Sequence, residues 1–333
     1  MATIDVDHND TLTAINGLRV GHAEIPGVPT GCTVILTPEG VPAGVDIRGG
    51  APGTYGTDTL YPLNLVERVN GVFFTGGSAF GLSVGDGLRQ YLRAQGVGFD
   101  TGHGYIPIVC GAVIFDLGIN DTDRFPDQIL AAQACRDATS DPVAEGCVGA
   151  GAGATVGKLY GIERAMMGGV GSACIQTAAG LQVGALIVVN AFGDIRDPEN
   201  GRLIAGCRES QDGFRLLDAD REMHKLQSLR GFPDGLNTVV GVVATNAQCN
   251  KTQLTKIAQM AHDGLARTVT PAHTLYDGDT IFALSCGSLP GYEVTVIGAL
   301  AAQATAQAIL RAVTKARPYG NIPAASDLPE SLR

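Results

Sequence analysis

The chain has 333 residues, 45% of them hydrophobic and 17% charged, which is a globular composition with enough length for a large core. A net charge of −10 argues against a nucleic-acid partner, because phosphate binding requires a basic face. The polar, acidic start differs from a secretory signal, and no stretch reaches the roughly 18 uninterrupted apolar residues of a membrane span, so we expect a cytoplasmic protein without a membrane partner.

Periodicity in the first half of the chain predicts strands that alternate with amphipathic helices. Ser78 stands where an N-cap is expected, at the start of a helix that ends before Gly96, and Pro126 stands in the first turn of the next helix. The predicted strands cover residues 31–38, 71–77 and 106–118, and the predicted helices cover residues 78–96 and 126–138.

The second half begins with the densest glycine region, in a chain whose 46 glycines are about twice the usual share of roughly 7%. A long buried strand carries one polar residue, Asn190, near its end, and a later helix with an apolar stripe is expected to stop at Gly264. The predicted elements are strands over 181–195, from Thr238 onward and over 280–287, a solvated helix with a connection within 218–236, and helices over 250–267 and 293–313.

The order of these elements indicates the fold class. Strands that are apolar on both faces, with helices packed outside them, are typical of a layered α/β (α+β) sandwich. No internal repeat and no clear linker is visible, although the segment 210–237 is the best candidate for a boundary. We therefore expect a single domain over residues 1–333.

Two familiar motifs are incomplete. "AGATVGKL" (152–159) has Ala152 and Leu159 where a P-loop requires glycine and a hydroxyl residue, so a nucleotide site is not indicated. "GGSAFG" (76–81) has Phe80 where a nucleophile elbow requires the second glycine, and no histidine partner for Ser78 stands out. These departures argue against both interpretations.

The metal-binding residue types are dispersed. No two of the eight cysteines have the spacing of a zinc knuckle, and the six histidines form no His-Glu-x-x-His pair. The sequence therefore predicts reduced, buried thiols, with no metal and no organic cofactor.

Residues 234–247, "DGLNTVVGVVATNA", contain an unusual strand start, in which Asn237 and Thr238 precede an apolar run. A threonine hydroxyl needs a base, and a free α-amine with a pKa of about 8 can serve once the bond before the threonine is cut. The hydroxyl itself can make that cut by attacking the preceding carbonyl. Taken alone, however, such a pair is more often a turn residue followed by an ordinary strand residue.

Seven blocks, in this order, resemble a family of self-processing amide hydrolases that includes L-aminopeptidase/D-amidase/D-esterase, β-peptidyl aminopeptidases and endo-type nylon-oligomer hydrolases. The blocks run over most of the chain. They are "VDIRGGAPGT" (45–54), "TGGSAFGL" (75–82), "PIVCGAVIFDLG" (107–118), "GAGATVGK" (151–158), "IVVNAFGDI" (187–195), "NTVVGVVATNA" (237–247) and "HTLYDGDTIFAL" (273–284).

The resemblance implies a precursor that cuts itself between Asn237 and Thr238, leaving associated fragments 1–237 and 238–333. It implies a four-layer αββα sandwich, similar to the N-terminal-nucleophile hydrolases but with different connectivity. It also implies a homo-oligomer, often a tetramer of processed protomers, that acts on small peptides or amides.

The resemblance assigns roles to individual residues. Thr238 matches the nucleophile, Asn190 the asparagine that steadies the oxyanion, and Lys158 the lysine whose ammonium holds the hydroxyl or favours a deprotonated neighbour. Asp277 and Asp279 match an Asp-Gly-Asp pair of the nylon-hydrolase branch, where they would orient the amine and hydroxyl of the nucleophile.

One position departs from that branch. Phe115 stands where the nylon hydrolases have tyrosine, and a phenyl ring cannot donate a hydrogen bond, so activity on nylon oligomers is not implied. Phe115 remains a candidate for the substrate pocket.

The sequence thus predicts an autoprocessed, N-terminal-threonine amide hydrolase of the aminopeptidase or amidase type. Two alternatives stay open: an acyltransferase of the ornithine acetyltransferase type, and an unprocessed, non-catalytic homologue.

Overall fold

A computed structural model describes residues 9–120, 122–228 and 237–330. The strands are β1 (Arg19–Glu24), β2 (Gly31–Ile47), β3 (Thr54–Tyr55), β4 (Arg68–Thr75), β5 (Phe99–Asp100), β6 (Tyr105–Ile106), β7 (Val109–Val113), β8 (Thr155–Val156), β9 (Met166–Met167), β10 (Gly169–Gln176), β11 (Gln182–Asn190), β12 (Asp194–Arg196), β13 (Leu203–Ala205), β14 (Thr238–Ala247), β15 (Val269–Thr270) and β16 (Thr280–Leu289). The α-helices are α1 (Val84–Ala94), α2 (Gln128–Arg136), α3 (Ala219–Met223), α4 (Lys251–Thr268) and α5 (Val294–Thr314).

The long strand β2 belongs to two sheets. Its first part pairs with β1 and β4, and β4 continues through β7 to β3, which together form what we call the first sheet. Its last part pairs with β16, and β14, β11 and β10 complete the second sheet. The register of β2 shifts between Leu36 and Val41, and Gly40 there has a φ of +67°, a backbone conformation that glycine tolerates.

The two sheets face each other across an apolar core, and a helix pair covers each outer face. In β14, Val240 and Val242 point into the core between the sheets, whereas Val239 and Val243 point toward α4 and α5. Helices α1 and α2 cover the outer face of the first sheet. Side chains that alternate along a strand explain why both faces are apolar. The predicted four-layer αββα sandwich is confirmed.

The start of the helix predicted over 78–96 differs from the prediction. Gly77 precedes a 3₁₀ segment over Ser78–Ser83, and the α-helix itself begins at Val84. Ser78 is therefore not the N-cap; it has a φ of +53° and donates its main-chain N–H to the carbonyl of Ile114. The tight turn after β4, rather than side-chain capping, starts this helix.

The next helix also begins later than predicted. Asp127, not Pro126, marks its start, because the Asp127 carboxylate accepts the main-chain N–H groups of Ile129 and Leu130 at 2.9 Å each. A carboxylate at this position is a strong N-cap. The helix α2 ends at Arg136.

Gly264 does not end the helix predicted over 250–267. Helix α4 continues through Gly264 to Thr268. The residue is glycine because a Cβ atom at this position would lie 2.0 Å from the main-chain oxygen of Ala302 in α5. A glycine after an apolar stripe usually signals a C-cap. Here it permits the close approach of two helices.

Other predicted elements are shorter or divided. The strand predicted over 106–118 is limited to the last residue of β6 and to β7. The strand predicted over 181–195 consists of β11 and, in another sheet, β12. The helix within 218–236 is limited to α3, and residues 229–236 lie outside the described residues.

Helix α5 lies under α4 and the second sheet. Within the described residues it is long and apolar enough to cross a membrane by length and composition, yet 61% of its most apolar window is buried inside the protein. Ala301, Ala304 and Ala308 belong to the apolar cluster that this helix forms with the sheet. These contacts are those of a core helix.

All eight cysteines are free thiols. Five of them are buried, as predicted, whereas Cys147, Cys174 and Cys286 are half-buried.

Candidate active site

The ends of three adjacent strands of the second sheet meet at one edge. Thr238, the first residue of β14, pairs with Asn190, the last residue of the antiparallel strand β11. Asp279 directly precedes β16, which runs parallel to β14. By strand alternation, Thr238 and Asn190 share the face of Val240, so both side chains point into the space between the two sheets. The sequence-predicted residues thus converge on one rim of the sandwich.

The junction between Asn237 and Thr238 is held by main-chain hydrogen bonds. Asn237 donates its N–H to the carbonyl of Tyr276 at 3.0 Å, and its own carbonyl accepts the N–H of Gly278 at 2.9 Å. The hydroxyl Oγ1 of Thr238 donates to the same carbonyl of Asn237. A Cβ atom at Gly278 would lie 2.9 Å from that hydroxyl oxygen, so the close approach requires glycine.

Both ends of the buried Asn190 carboxamide are engaged. Its Oδ1 accepts the N–H of Thr155 at 3.0 Å and Nζ of Lys158 at 2.8 Å. Its Nδ2 donates to the carbonyl of Phe115 at 2.9 Å. Because Phe115 follows β7 of the first sheet, the carboxamide bridges the two sheets and its orientation is fixed.

Lys158 is buried. Its Nζ donates to Oδ1 and, at 3.1 Å, to the main-chain oxygen of Asn190. Burial lowers the pKa of this lysine from 10.5 to about 7, while the negative charges of Asp277 and Asp116 raise it in part. Near neutral pH the group can therefore either hold or release a proton.

Asp277 anchors the turn that leads into β16. Its Oδ2 accepts the N–H of Thr274 at 3.1 Å and the Thr274 hydroxyl, and its Oδ1 accepts the N–H of Phe192 at 3.3 Å. Burial and, to a lesser extent, the charge of Asp279 raise the pKa of Asp277 to about 6, although these hydrogen bonds oppose the shift.

Asp279 is fixed by donors on both of its oxygens. Its Oδ1 accepts the N–H of Val239, the residue after Thr238, at 2.8 Å. Its Oδ2 accepts two donors from His273, the main-chain N–H at 3.0 Å and ring Nδ1 at 2.8 Å. The carboxylate therefore links the loop before β16 to the first residues of β14.

The profile of Peptidase family S58 matches residues 10–322.

The chain belongs to Peptidase family S58.

An uncharacterized aminopeptidase of Mycobacterium tuberculosis is 38% identical over 344 residues, which cover 96% of this chain and 98% of that protein. A 6-aminohexanoate-oligomer endohydrolase of a Kocuria strain is 30% identical over 309 residues, covering 89% and 84%. The solved L-aminopeptidase D-Ala-esterase/amidase of Ochrobactrum anthropi, a variant of the Ntn-hydrolase fold, superposes with a TM-score of 0.69 at 20% identity, over 97% of this chain and 91% of that one. The family predicted from the sequence blocks is confirmed, and the S58 chain is a peptide or amide hydrolase.

Phe115 lines a small cavity beside the candidate residues of this S58 chain. The cavity has a volume of about 30 Å³, enough for one water molecule. A groove of about 600 Å³ elsewhere on the surface is lined by residues 45–47, 57–58, 60–64 and Thr255 instead. The smaller cavity, unlike the groove, borders the convergent polar groups of the candidate site. Its lining consists of Phe115, Asp116, Ile119, Gly153, Thr155, Lys158 and Ile162.

Two residues of this S58 site were not singled out from the sequence. Asp116 lines the cavity, accepts the N–H of Gly77 at 2.8 Å, and has a pKa that burial raises to about 6. His273 supplies both donors to one oxygen of Asp279. Each lies inside a block that resembles the family, but neither has a spacing that distinguishes it from a turn residue. No group of three or more histidine, cysteine, aspartate or glutamate residues within the described chain could hold a metal ion.

Proposed function

We propose that this S58 chain is an autoprocessed amide hydrolase whose nucleophile is the N-terminal threonine of the fragment 238–333. The observation that carries the proposal is the position of the Thr238 hydroxyl against the carbonyl of Asn237, at the rim where the other candidate side chains converge. An ordinary strand residue would not require the paired carboxylates and the buried lysine that surround this junction.

The first reaction would be self-cleavage. Oγ1 of Thr238 forms a bond to the carbonyl carbon of Asn237, the C–N bond breaks, and the nitrogen takes up a proton, which gives an ester and a free α-amine. Water then hydrolyses the ester, so that Asn237 ends one fragment as a carboxylate and Thr238 begins the other. The nitrogen of the intact peptide bond between Asn237 and Thr238 cannot act as a base. Lys158, with a pKa of about 7, is a neighbouring group able to accept the hydroxyl proton.

Turnover would use the amine that cleavage releases. The hydroxyl of Thr238 attacks the substrate carbonyl while the amine accepts its proton, and the amine then protonates the leaving nitrogen. Water attacks the acyl-enzyme and regenerates the hydroxyl. An α-amine with a pKa of about 8 suits both transfers near neutral pH.

The remaining side chains would hold this geometry and its charges. Asn190 pairs with Thr238 across the two strands; its Nδ2 donates one N–H to Phe115, and the other would steady the oxyanion. The lysine ammonium beside Asn190 would add to that stabilisation. Asp277 and Asp279 would orient the amine of Thr238 and balance its charge when it is protonated.

The substrate class follows from the relatives rather than from pocket shape. We propose small peptides or amino-acid amides, because the Mycobacterium tuberculosis relative bears the name of an aminopeptidase and the Kocuria relative that of an oligomer endohydrolase. We further propose a cytoplasmic homo-oligomer, in which case size-exclusion chromatography gives a mass several times that of one processed protomer.

Denaturing electrophoresis and intact-mass measurement test the proposal. Wild-type protein is expected to give two fragments that end at Asn237 and begin at Thr238, together with hydrolysis of amino-acid p-nitroanilides. Thr238→Ala is expected to stay in one piece and to be inactive, and Thr238→Ser, which keeps a hydroxyl, is expected to be cleaved slowly. A single intact wild-type chain that hydrolyses the substrates as fast as its Thr238→Ala variant would refute the mechanism.

A further inference from the structure

His273 is held in a conformation that few residues adopt. Its φ is +57°, in the left-handed region that is uncommon for residues other than glycine. In this conformation the main-chain N–H and the ring Nδ1 of His273 both hydrogen-bond to Oδ2 of Asp279, at 3.0 and 2.8 Å. Backbone strain of this kind persists where the surroundings determine the geometry.

The other oxygen of Asp279 faces the candidate nucleophile. Oδ1 accepts the N–H of Val239 at 2.8 Å, one residue beyond Thr238. A carboxylate that accepts on both sides transmits the position of one partner to the other. The hydrogen-bonded series therefore runs from the His273 ring, through Asp279, to the first peptide of β14.

Helix α4 and β2 close the far side of the His273 ring. The ring of His262 packs edge-to-face against it with centroids 4.8 Å apart, and burial lowers the pKa of His262 to about 4, so that this second ring is neutral. Nε2 of His262 lies 3.1 Å from the main-chain oxygen of Asp46, whose carboxylate pairs with Arg48 at 2.8 Å. The charged groups that face the pair are thus Asp279, Asp46 and, behind the latter, Arg48.

We propose that His273 is a positioning residue of the reaction: its ring Nδ1–H fixes the Asp279 carboxylate, which in turn fixes the strand start that carries Thr238. The inference deepens the proposed function and depends on it. His273 does not touch the reacting atoms. Its ring acts through Asp279, and the neutral ring of His262 keeps it from turning away.

The positioning role depends on the ring Nδ1–H donor of His273 and not on the volume of the ring. His273→Asn is the nearest replacement in kind, since asparagine tolerates a positive φ and its Nδ2 takes the place of Nδ1, so this variant is expected to retain activity. His273→Ala removes the ring donor but keeps the main-chain N–H. We expect its kcat to fall roughly tenfold to hundredfold, as for other residues that orient a reacting group, with a much smaller change in KM.

The experiment compares wild type, His273→Asn and His273→Ala as full-length chains. Cleavage is followed by intact mass, and kcat and KM on a p-nitroanilide are expressed per cleaved chain, so that incomplete processing does not count as slow turnover.

His22→Ala provides the matched control. This histidine is also half-buried, with Nδ1 2.9 Å from the Thr33 hydroxyl, but it lies in β1 of the first sheet. It is expected to lose stability without a change in kcat per cleaved chain. A purely structural role of His273 would give the same pattern as this control.

The outcomes separate the two proposals. A wild type that is neither cleaved nor active overturns the proposed function and the positioning role together. An active wild type with an equally active His273→Ala, or with equal losses in the Ala and Asn variants, overturns the positioning role alone. If His273→Ala folds with a wild-type melting temperature but stays uncleaved while His273→Asn is cleaved, the role is supported, because cleavage uses the same strand start.

Discussion

Two lysines of this chain are buried, and their surroundings differ. Lys251, the first residue of α4, donates from Nζ to three main-chain carbonyls, those of Thr59 at 3.1 Å, Asn64 at 2.9 Å and Val66 at 2.8 Å. Lys158 donates to two oxygens of one residue, Asn190, and carboxylates rather than a loop surround it.

The difference separates a lysine that anchors a loop from one that we propose takes part in the reaction. Three carbonyls that converge on Lys251 use its whole donor capacity and tie the loop over residues 57–66 to α4. The pKa of Lys158, lowered to about 7, places its proton exchange near neutral pH, which is useful for catalysis and unfavourable for stability. Burial of a lysine therefore does not by itself indicate its role; the partners do.

The largest effect expected is on activity. Lys158→Met is expected to lower kcat/KM on a p-nitroanilide by between about 100-fold and 10,000-fold, because it removes a proton acceptor and an oxyanion partner together. Lys251→Met makes the same substitution at a similarly buried lysine. It is expected to stay within about threefold of wild type, which is less than 1 kcal/mol.

Initial rates per folded chain measure this contrast, with intact mass to score cleavage. Similar losses in both variants would mean that burial of any lysine supports the fold and that Lys158 has no special part in the reaction.

The second effect is on stability, and here the Lys251 variant is expected to lose more than the Lys158 variant. Lys251→Met leaves three main-chain carbonyls without their donor and is expected to lower the free energy of unfolding by about 3 kcal/mol, since part of the loop can turn to water. Urea unfolding in a Thr238→Ala background, which we expect to stay a single chain, measures this cost under two-state conditions.

In the same background, Lys158→Met is expected to be neutral or stabilising, because burial disfavours the Lys158 ammonium and Oδ1 of Asn190 keeps the N–H of Thr155 as a donor. A loss as large as that of Lys251→Met would contradict the distinction between the two lysines.

The third effect is a pH dependence of that stabilisation. The folded-state pKa of Lys158 is near 7, below its ordinary value of 10.5, so between these values the unfolded chain holds a proton that the folded chain has lost. The cost of burying the Lys158 charge therefore falls as pH rises through this window, and the advantage of Lys158→Met over the parent Thr238→Ala chain shrinks. At about 1.36 kcal/mol per pH unit, the advantage falls by about 2 kcal/mol between about pH 7.5 and about pH 9.

The acidic groups of the site act outside this window. Burial raises the pKa of Asp277 and of Asp116 to about 6, so their contribution to stability changes below the pH range used. Urea midpoints at the two pH values check the slope, and an advantage of Lys158→Met that stays constant would show that the lysine exchanges its proton near its ordinary pKa.

The fold and most of the candidate site can be predicted from the sequence, whereas the partners of the buried lysines cannot. The sandwich follows from strands apolar on both faces. Four of the five candidate residues converge because the blocks that contain them end or begin strands of one sheet, whereas Lys158 follows β8, which belongs to a separate two-stranded sheet. The partners could not be predicted: Lys251 has the pattern of a solvated charge at a helix start, and nothing in the sequence brings residues 57–66 over it.

Glycine is ambiguous for a related reason. Gly264 has the spacing of a helix end, yet the approach of Ala302 in α5 is what requires it. The positive φ of His273 is likewise set by contacts with Asp279 from the same loop, which a local pattern does not reveal. Long-range contacts decide these positions, and a single sequence carries them only where a family resemblance supplies the missing information.

The smallest effect concerns substrate choice beside Lys158. Phe115 lines the cavity of about 30 Å³ that this lysine also lines, and a phenol there has room for one hydroxyl, the volume of a water molecule. One added hydrogen bond contributes about 0.5–1.5 kcal/mol, so Phe115→Tyr is expected to raise the rate on linear 6-aminohexanoate oligomers, relative to an amino-acid p-nitroanilide, by about tenfold at most. Phe99→Tyr, an equal change at an exposed ring in β5, is the control and is expected to leave the ratio unchanged. Equal ratios in all three proteins would remove Phe115 from the substrate pocket, and would leave Lys158 as the feature of that cavity that bears on the reaction.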